Sequence, residues 1–145
     1  MQTALIILML LLQQKPLRER LLESALRGDA EAQFELGKNY ETGRIGLPKD
    51  FAQAERWYRA SANQGDPYAE ASLGLLYQFG KGVHADPVRA LMWYEVAIAR
   101  ASPADRDSII DLRNDIVTAM TPARIAEARR LARAFRPRVD NESKQ

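Results

Sequence analysis

Apolar residues recur along this chain at helical spacing, and the pattern is written twice in nearly the same letters. Ala32, Leu36 and Tyr40 return every four residues and predict one face of a helix, while Ala54, Trp57, Tyr58 and Ala62 predict the matching face of a second. Residues 28–64 then align with residues 65–100. Gly28-Asp29 falls on Gly65-Asp66, Leu36-Gly37 on Leu73-Gly74, Tyr40 on Tyr77, Gly43 on Gly80, and Ala54 with Trp57-Tyr58 on Ala90 with Trp93-Tyr94. The spacing slips by one residue in the loop. A repeat of this period predicts an all-α array of helix pairs, each unit burying an apolar face that it cannot bury alone.

Helix ends are marked as clearly as helix faces. Asp66-Pro67, Asp86-Pro87, Ser102-Pro103 and Thr121-Pro122 each place a capping side chain before a proline at the first helical position. Gly43 and Gly80 stand where the first helix of each copy should stop, since glycine accepts the left-handed backbone of a helix exit. Gly37 and Gly74 sit mid-helix, where each costs about 1 kcal/mol relative to alanine, so close approach of the paired helix is the expected compensation.

The flanks extend the array. Residues 125–134 (IAEARRLARA) align with residues 51–60 (FAQAERWYRA), so residues 101–136 read as a degenerate third copy in which Leu131 and Ala132 replace the Trp-Tyr pair. Leu17–Leu26 stands where a preceding copy would have its second helix, giving a repeat domain over residues 15–136 with a cap at each end. Residues 137–145 are expected to be a disordered tail. Residues 1–14 hold an unbroken apolar run, Ala4–Leu12, too short to cross a bilayer as a helix. Its length suits the apolar core of a signal peptide or a short anchor, although no basic residue precedes it and no small-x-small site follows before Ser24 and Ala25. Export or membrane attachment is therefore expected, placing the chain in the periplasm, outside the cell or at a membrane. The alternative is a first helix buried against the domain in a cytoplasmic protein.

Composition narrows the chemistry. A chain of 145 residues, 46% apolar, holds one compact unit, and a formal net charge of +2 marks neither a polyanion nor a uniformly basic nucleic-acid binder. The absence of cysteine removes disulfides, thiolate catalysis and cysteine zinc sites. The segment GLLYQFGKG at residues 74–82 looks like a phosphate loop but fails as one. Five residues separate its glycines, and Gly82 stands where a hydroxyl must bind magnesium. His84 is the single histidine and lies in a loop without a companion acid. Asp107, Asp111 and Asp115 line one helix face, which reads as a solvated stripe rather than a cation site because Arg106 and Arg113 flank it. Arg124, Arg129, Arg130, Arg133, Arg136 and Arg138 make the last helix basic. Charge balance within the terminal cap is the preferred reading, and contact with anionic lipid or another anionic ligand the alternative.

The string A-x-A-x-x-x-L-G-x-x-Y, a glycine-containing loop, then A-x-x-W-Y resembles the Sel-one-like repeat, a relative of the tetratricopeptide repeat. Ala30, Ala32, Leu36, Gly37, Tyr40, Ala54, Trp57 and Tyr58 carry the resemblance in the first copy. Ala69, Leu73, Gly74, Tyr77, Ala90, Trp93 and Tyr94 carry it in the second. The resemblance implies a right-handed α-α superhelix, or solenoid, whose first helices line a concave groove, and a protein-interaction adaptor or scaffold rather than an enzyme. Transferred by register, the groove-facing residues are Glu31, Phe34, Glu35, Lys38 and Glu41 in the first copy and Tyr68, Ser72, Leu75, Gln78 and Phe79 in the second. The expected partner is a protein or peptide, with no nucleic acid, no cofactor and no metal. Weak hydrolysis is the enzymatic precedent among cysteine-rich relatives, whose cysteines this chain lacks. Leu75 and Phe79 have an alternative role as packing against the third copy.

Overall fold

The computed structural model describes residues 1–12 and 15–138, and within them the chain forms eight helices and no strand. These are α1 (Gln2–Leu12), α2 (Leu17–Leu26), α3 (Ala30–Thr42), α4 (Phe51–Ala62), α5 (Pro67–Phe79), α6 (Pro87–Arg100), α7 (Pro103–Val117) and α8 (Pro122–Ala134). All four cap-proline pairs start a helix, with Asp66, Asp86, Ser102 and Thr121 accepting backbone N–H groups of the first turn. Asp29 and Asp50 cap α3 and α4 in the same way without a following proline. Gly43 and Gly80 leave α3 and α5 at φ of 71° and 64°, the left-handed exit that a side chain would strain.

Two hairpins, α3–α4 and α5–α6, form the body of the solenoid, joined by packing of α5 on α4. What closes each hairpin is a tyrosine laid flat on a glycine. The Tyr58 ring lies so close to Gly37 that any Cβ there would come within 2.5 Å of Cδ1, and the Tyr94 ring lies over Gly74 at an equivalent 2.4 Å from Cε1. Both rings are fully buried, and their hydroxyls emerge one helical turn further along to donate to Glu41 and Gln78. Burial pushes both phenols above their ordinary range, and for Tyr58 the Glu41 carboxylate adds to the rise. The close approach expected at the mid-helix glycines is thus made by one side chain per unit.

Equivalent buried polar positions are filled differently in the two units. In the first, Gln33 donates to the Ala25 carbonyl (3.0 Å) and accepts from Gln64 (2.9 Å), so a neutral amide pair is fully satisfied. In the second, Glu70 and Arg100 take those places and bond at 2.9 Å. Glu70 is 0% exposed and its Oε2 has no hydrogen-bond partner. The loop after α5 also ties the units together. Gly82 presses on the start of α4, where a Cβ would fall 2.5 Å from the Phe51 carbonyl carbon. The glycine that completes the phosphate-loop lookalike is a contact between repeats.

The third unit departs from the first two. α7 packs on α6 as α5 packs on α4, but α8 lies along α6 and barely touches α7, so residues 101–136 do not close as a hairpin. The physical reason is a missing lock. Ile110 stands as far past Pro103 as Gly74 does past Pro67, and α8 contains no tyrosine, so neither half of the contact exists. After α8, Phe135 packs edge-on against Trp93 with ring centroids 5.1 Å apart, Pro137 meets Gly65, and the Arg138 N–H donates to the Asn63 carbonyl. The expected disordered tail lies outside the described residues from position 139 onward.

At the other end α1 packs along no other described helix, and the large apolar side chains of Leu5, Ile6, Ile7, Leu8, Met9 and Leu10 are all exposed. It contributes to neither core cluster. Deleting residues 1–12 is therefore expected to shift the thermal midpoint by less than about 1 °C while reducing self-association, read by circular dichroism and light scattering. A large loss of stability would show that α1 is buried after all. No described helix is long and apolar enough to cross a membrane.

Candidate protein-interaction face

The starts of α3, α5 and α7 are linked by side chains into one surface. Phe34 of α3 lies between Tyr58 and Tyr68, with ring centroids 5.8 and 5.9 Å away, so it touches its own unit and the next. Tyr68 of α5 is 50% exposed, and its hydroxyl donates to Asp105 of α7 at 2.8 Å. That bond holds the phenol above its ordinary range, while bonds from Ser102 and Tyr68 hold the Asp105 carboxyl below its own. Lys38 sits 5.3 Å over the Phe34 ring and pairs with Glu35 at 2.9 Å. Aromatic surface flanked by a pinned ion pair is thus presented across two units.

The sequence-derived residues do not all share this surface. Phe34, Glu35, Lys38 and Tyr68 are brought together. Glu31 lies toward α2, beside Leu17, Arg20 and Leu21 in a shallow depression. Glu41 and Gln78 are occupied by the two tyrosine hydroxyls and serve the lock within each hairpin. Ser72 is half-buried, and Leu75 is half-buried against the core. Phe79 is 60% exposed at the far end of α5, under Lys81, whose ammonium also lies over Phe51. Leu75 thus packs on the core, whereas Phe79 does not. Asp105 was missed by sequence reasoning because its partner is distant in sequence, although its place in the first turn of α7 was legible.

Other candidates resolve locally. Asp107, Asp111 and Asp115 are exposed, and among the described residues none pairs with an arginine of α8. Arg129 pairs with Glu95 of α6 at 3.2 Å instead, as the displacement of α8 requires. His84 is exposed in the loop before α6. No group of three or more metal-ligating side chains converges among the described residues.

Comparison with known proteins agrees with this architecture. The Sel1 repeat model matches residues 30–66 and 67–102, which fall on the two closed hairpins and leave residues 103–136 outside. The chain is 36% identical over 93 residues to the chitin synthase regulator SKT5 of Saccharomyces cerevisiae, covering 63% of this chain and 13% of that protein. It is 48% identical over 48 residues to an uncharacterised protein of Neisseria meningitidis serogroup B, covering 33% of this chain and 10% of that one. It thus spans about an eighth or less of the length of these curated relatives. Among solved structures, c5321, a protective antigen of uropathogenic Escherichia coli with an SLR fold, superposes with a TM-score of 0.73 at 31% identity, covering 80% of this chain and 24% of that one. A Sel1 repeat protein from Oxalobacter formigenes superposes with a TM-score of 0.53 at 28% identity, covering 81% of this chain and 97% of that one. Proteins built from this repeat are typically non-enzymatic interaction scaffolds. With two matched repeats spanning half its length, this chain belongs to the Sel1 repeat family.

Proposed function

We propose that this chain is an adaptor that holds a partner protein or peptide across the α3–α5 face. The Phe34–Tyr68 contact carries the reading, because it places exposed aromatic surface across the joint between units, next to the Lys38–Glu35 pair. Aromatic residues dominate interface energetics, and a rigid helix face loses little entropy when it binds. That one relative is named a regulator supports a role exercised on another protein. A photo-crosslinking side chain at position 68 is expected to give a discrete adduct that Phe34→Ala reduces by about tenfold or more, while the same group at position 111 gives none. Equal adducts at both positions would sink the reading.

For residues 1–12 we propose attachment to a membrane surface or entry into an export route, supported by the unbroken exposure of the apolar side chains of Leu5–Leu10. Intact-mass analysis and carbonate extraction of the native protein test it. A full-length chain released quantitatively by carbonate refutes both forms of the idea.

A further inference from the structure

The displaced last helix creates a cleft that the repeats do not require. Between α6 and α8 lies an open cavity of about 530 Å³, rimmed by Arg100, Arg129, Arg133 and Arg136. Part of its lining is apolar, with Val96 buried and Ala132 and Phe135 half-buried. Glu95 is the one carboxylate in the lining. The cleft continues along α8 into a second depression formed by Pro122, Ile125 and Ala126, and Arg129 and Arg133 border both.

The arginines are incompletely neutralised. Arg129 bonds Glu95, and Arg100 bonds the buried Glu70 behind it while lying over the Phe135 ring at 5.4 Å. Arg136 donates to the backbone carbonyls of Arg133 and Phe135, which fixes its direction without cancelling its charge. Arg133 has no ion-pair partner among the described residues. Cations held around one cavity repel each other, and a guanidinium offers a carboxylate two parallel donors. The lining also holds apolar surface from Val96, Ala132 and Phe135, which an apolar side chain covers and a charged lipid headgroup does not. A groove bordered throughout by the same two arginines suits an extended chain.

We infer that the α6–α8 cleft docks an acidic peptide segment of a partner protein, its carboxylates on Arg129 and Arg133 and a neighbouring apolar side chain against Val96 and Phe135. This site is separate from the α3–α5 face. The test is fluorescence anisotropy of a labelled peptide alternating glutamate and leucine, titrated with the full chain. Arg129→Glu with Arg133→Glu is expected to weaken binding by about tenfold or more. Arg124→Glu with Arg130→Glu, the same change of charge on α8 outside the lining, should change it by less than about twofold. Because Arg129→Glu also removes the Glu95 pair, Arg133→Ala is the second variant, expected to bind about threefold more weakly with an unchanged circular dichroism spectrum. Replacing the leucines by serine should weaken binding by about fivefold, and Tyr68→Ala should leave it unaltered. Equal losses from the two double variants, indifference to the leucines, no binding by the wild-type chain at low salt, or preference for phosphatidylserine vesicles over the peptide would each overturn the assignment.

Discussion

Arg100→Met is expected to cost about 3 kcal/mol of stability at pH 8 and much less at pH 5. Its partner Glu70 is wholly buried with one oxygen unbonded, so removing the guanidinium strands a carboxylate that water cannot reach. Burial is the main force raising the Glu70 carboxyl to about 7, with Asp66 adding and Arg100 opposing, whereas its ordinary value is 4.5. Between those two values the folded chain binds more protons than the unfolded chain. The stability contributed by Glu70 is therefore full below about pH 4.5 and is lost as pH rises through about 7, an effect of roughly 3 kcal/mol. Without Arg100 the carboxyl rises further and the loss extends to higher pH. Urea unfolding at pH 5 and pH 8 measures this directly. Glu70→Gln should remove the group's pH dependence, because an amide does not titrate in this range, and the amide can also donate where the carboxylate cannot, as Gln33 does to Ala25. The double substitution Glu70→Gln with Arg100→Gln rebuilds the Gln33–Gln64 pair and should match or exceed the wild type at pH 8. An equal loss for Arg100→Met at both pH values would show that packing, not charge, is what Arg100 supplies.

Gly74→Ala should lower unfolding free energy by about 2–3 kcal/mol, a drop of roughly 5–10 °C in melting temperature. The new methyl group meets the Cδ1–Cε1 side of the Tyr94 ring at 2.4 to 2.6 Å, and a fully buried ring has nowhere to turn. Against this stands a gain of about 1 kcal/mol in helix propensity. The diagnostic measurement is a double-mutant cycle. In a Tyr94→Ala background the obstacle is gone, and Gly74→Ala should become neutral or stabilising. A penalty that persists without the ring would mean that the glycine serves another neighbour.

How far the sequence reaches depends on whether a feature repeats. The caps, the helix exits and both hairpins were legible because Asp66-Pro67, Gly43, Gly80 and the Leu-Gly and Trp-Tyr pairs state the same constraint more than once. The mid-helix glycines predicted close approach, and the structure adds that a single tyrosine makes it. The third unit misled, because IAEARRLARA keeps the spacing of a second helix while losing the residues that fasten one. Helical periodicity records which face is apolar, not which neighbour receives it. The same limit hid the cleft. The arginines of α8 are spread over several helix faces, and only packing on α6 brings Arg100 and Glu95 to them. Within the α3–α5 face, register picked out Phe34, Lys38 and Tyr68, which the structure brings together, but could not show that Glu41 and Gln78 are spent on tyrosine hydroxyls.

The tyrosine on glycine also bears on how such an array can lengthen. Ring, glycine and hydroxyl acceptor all lie within one unit, so a duplicated stretch carries its complete fastening with it. A copy of residues 28–64 inserted after position 64 would bring its own Gly37, Tyr58 and Glu41. Gene duplication thus preserves the lock in the middle of this protein, but the joint needs one adjustment, because Ile45 stands two residues past Gly43 where Gly82, two past Gly80, presses on Phe51. The α7–α8 end has no such freedom, because it holds neither the glycine nor the tyrosine and a copy of it would carry no fastening.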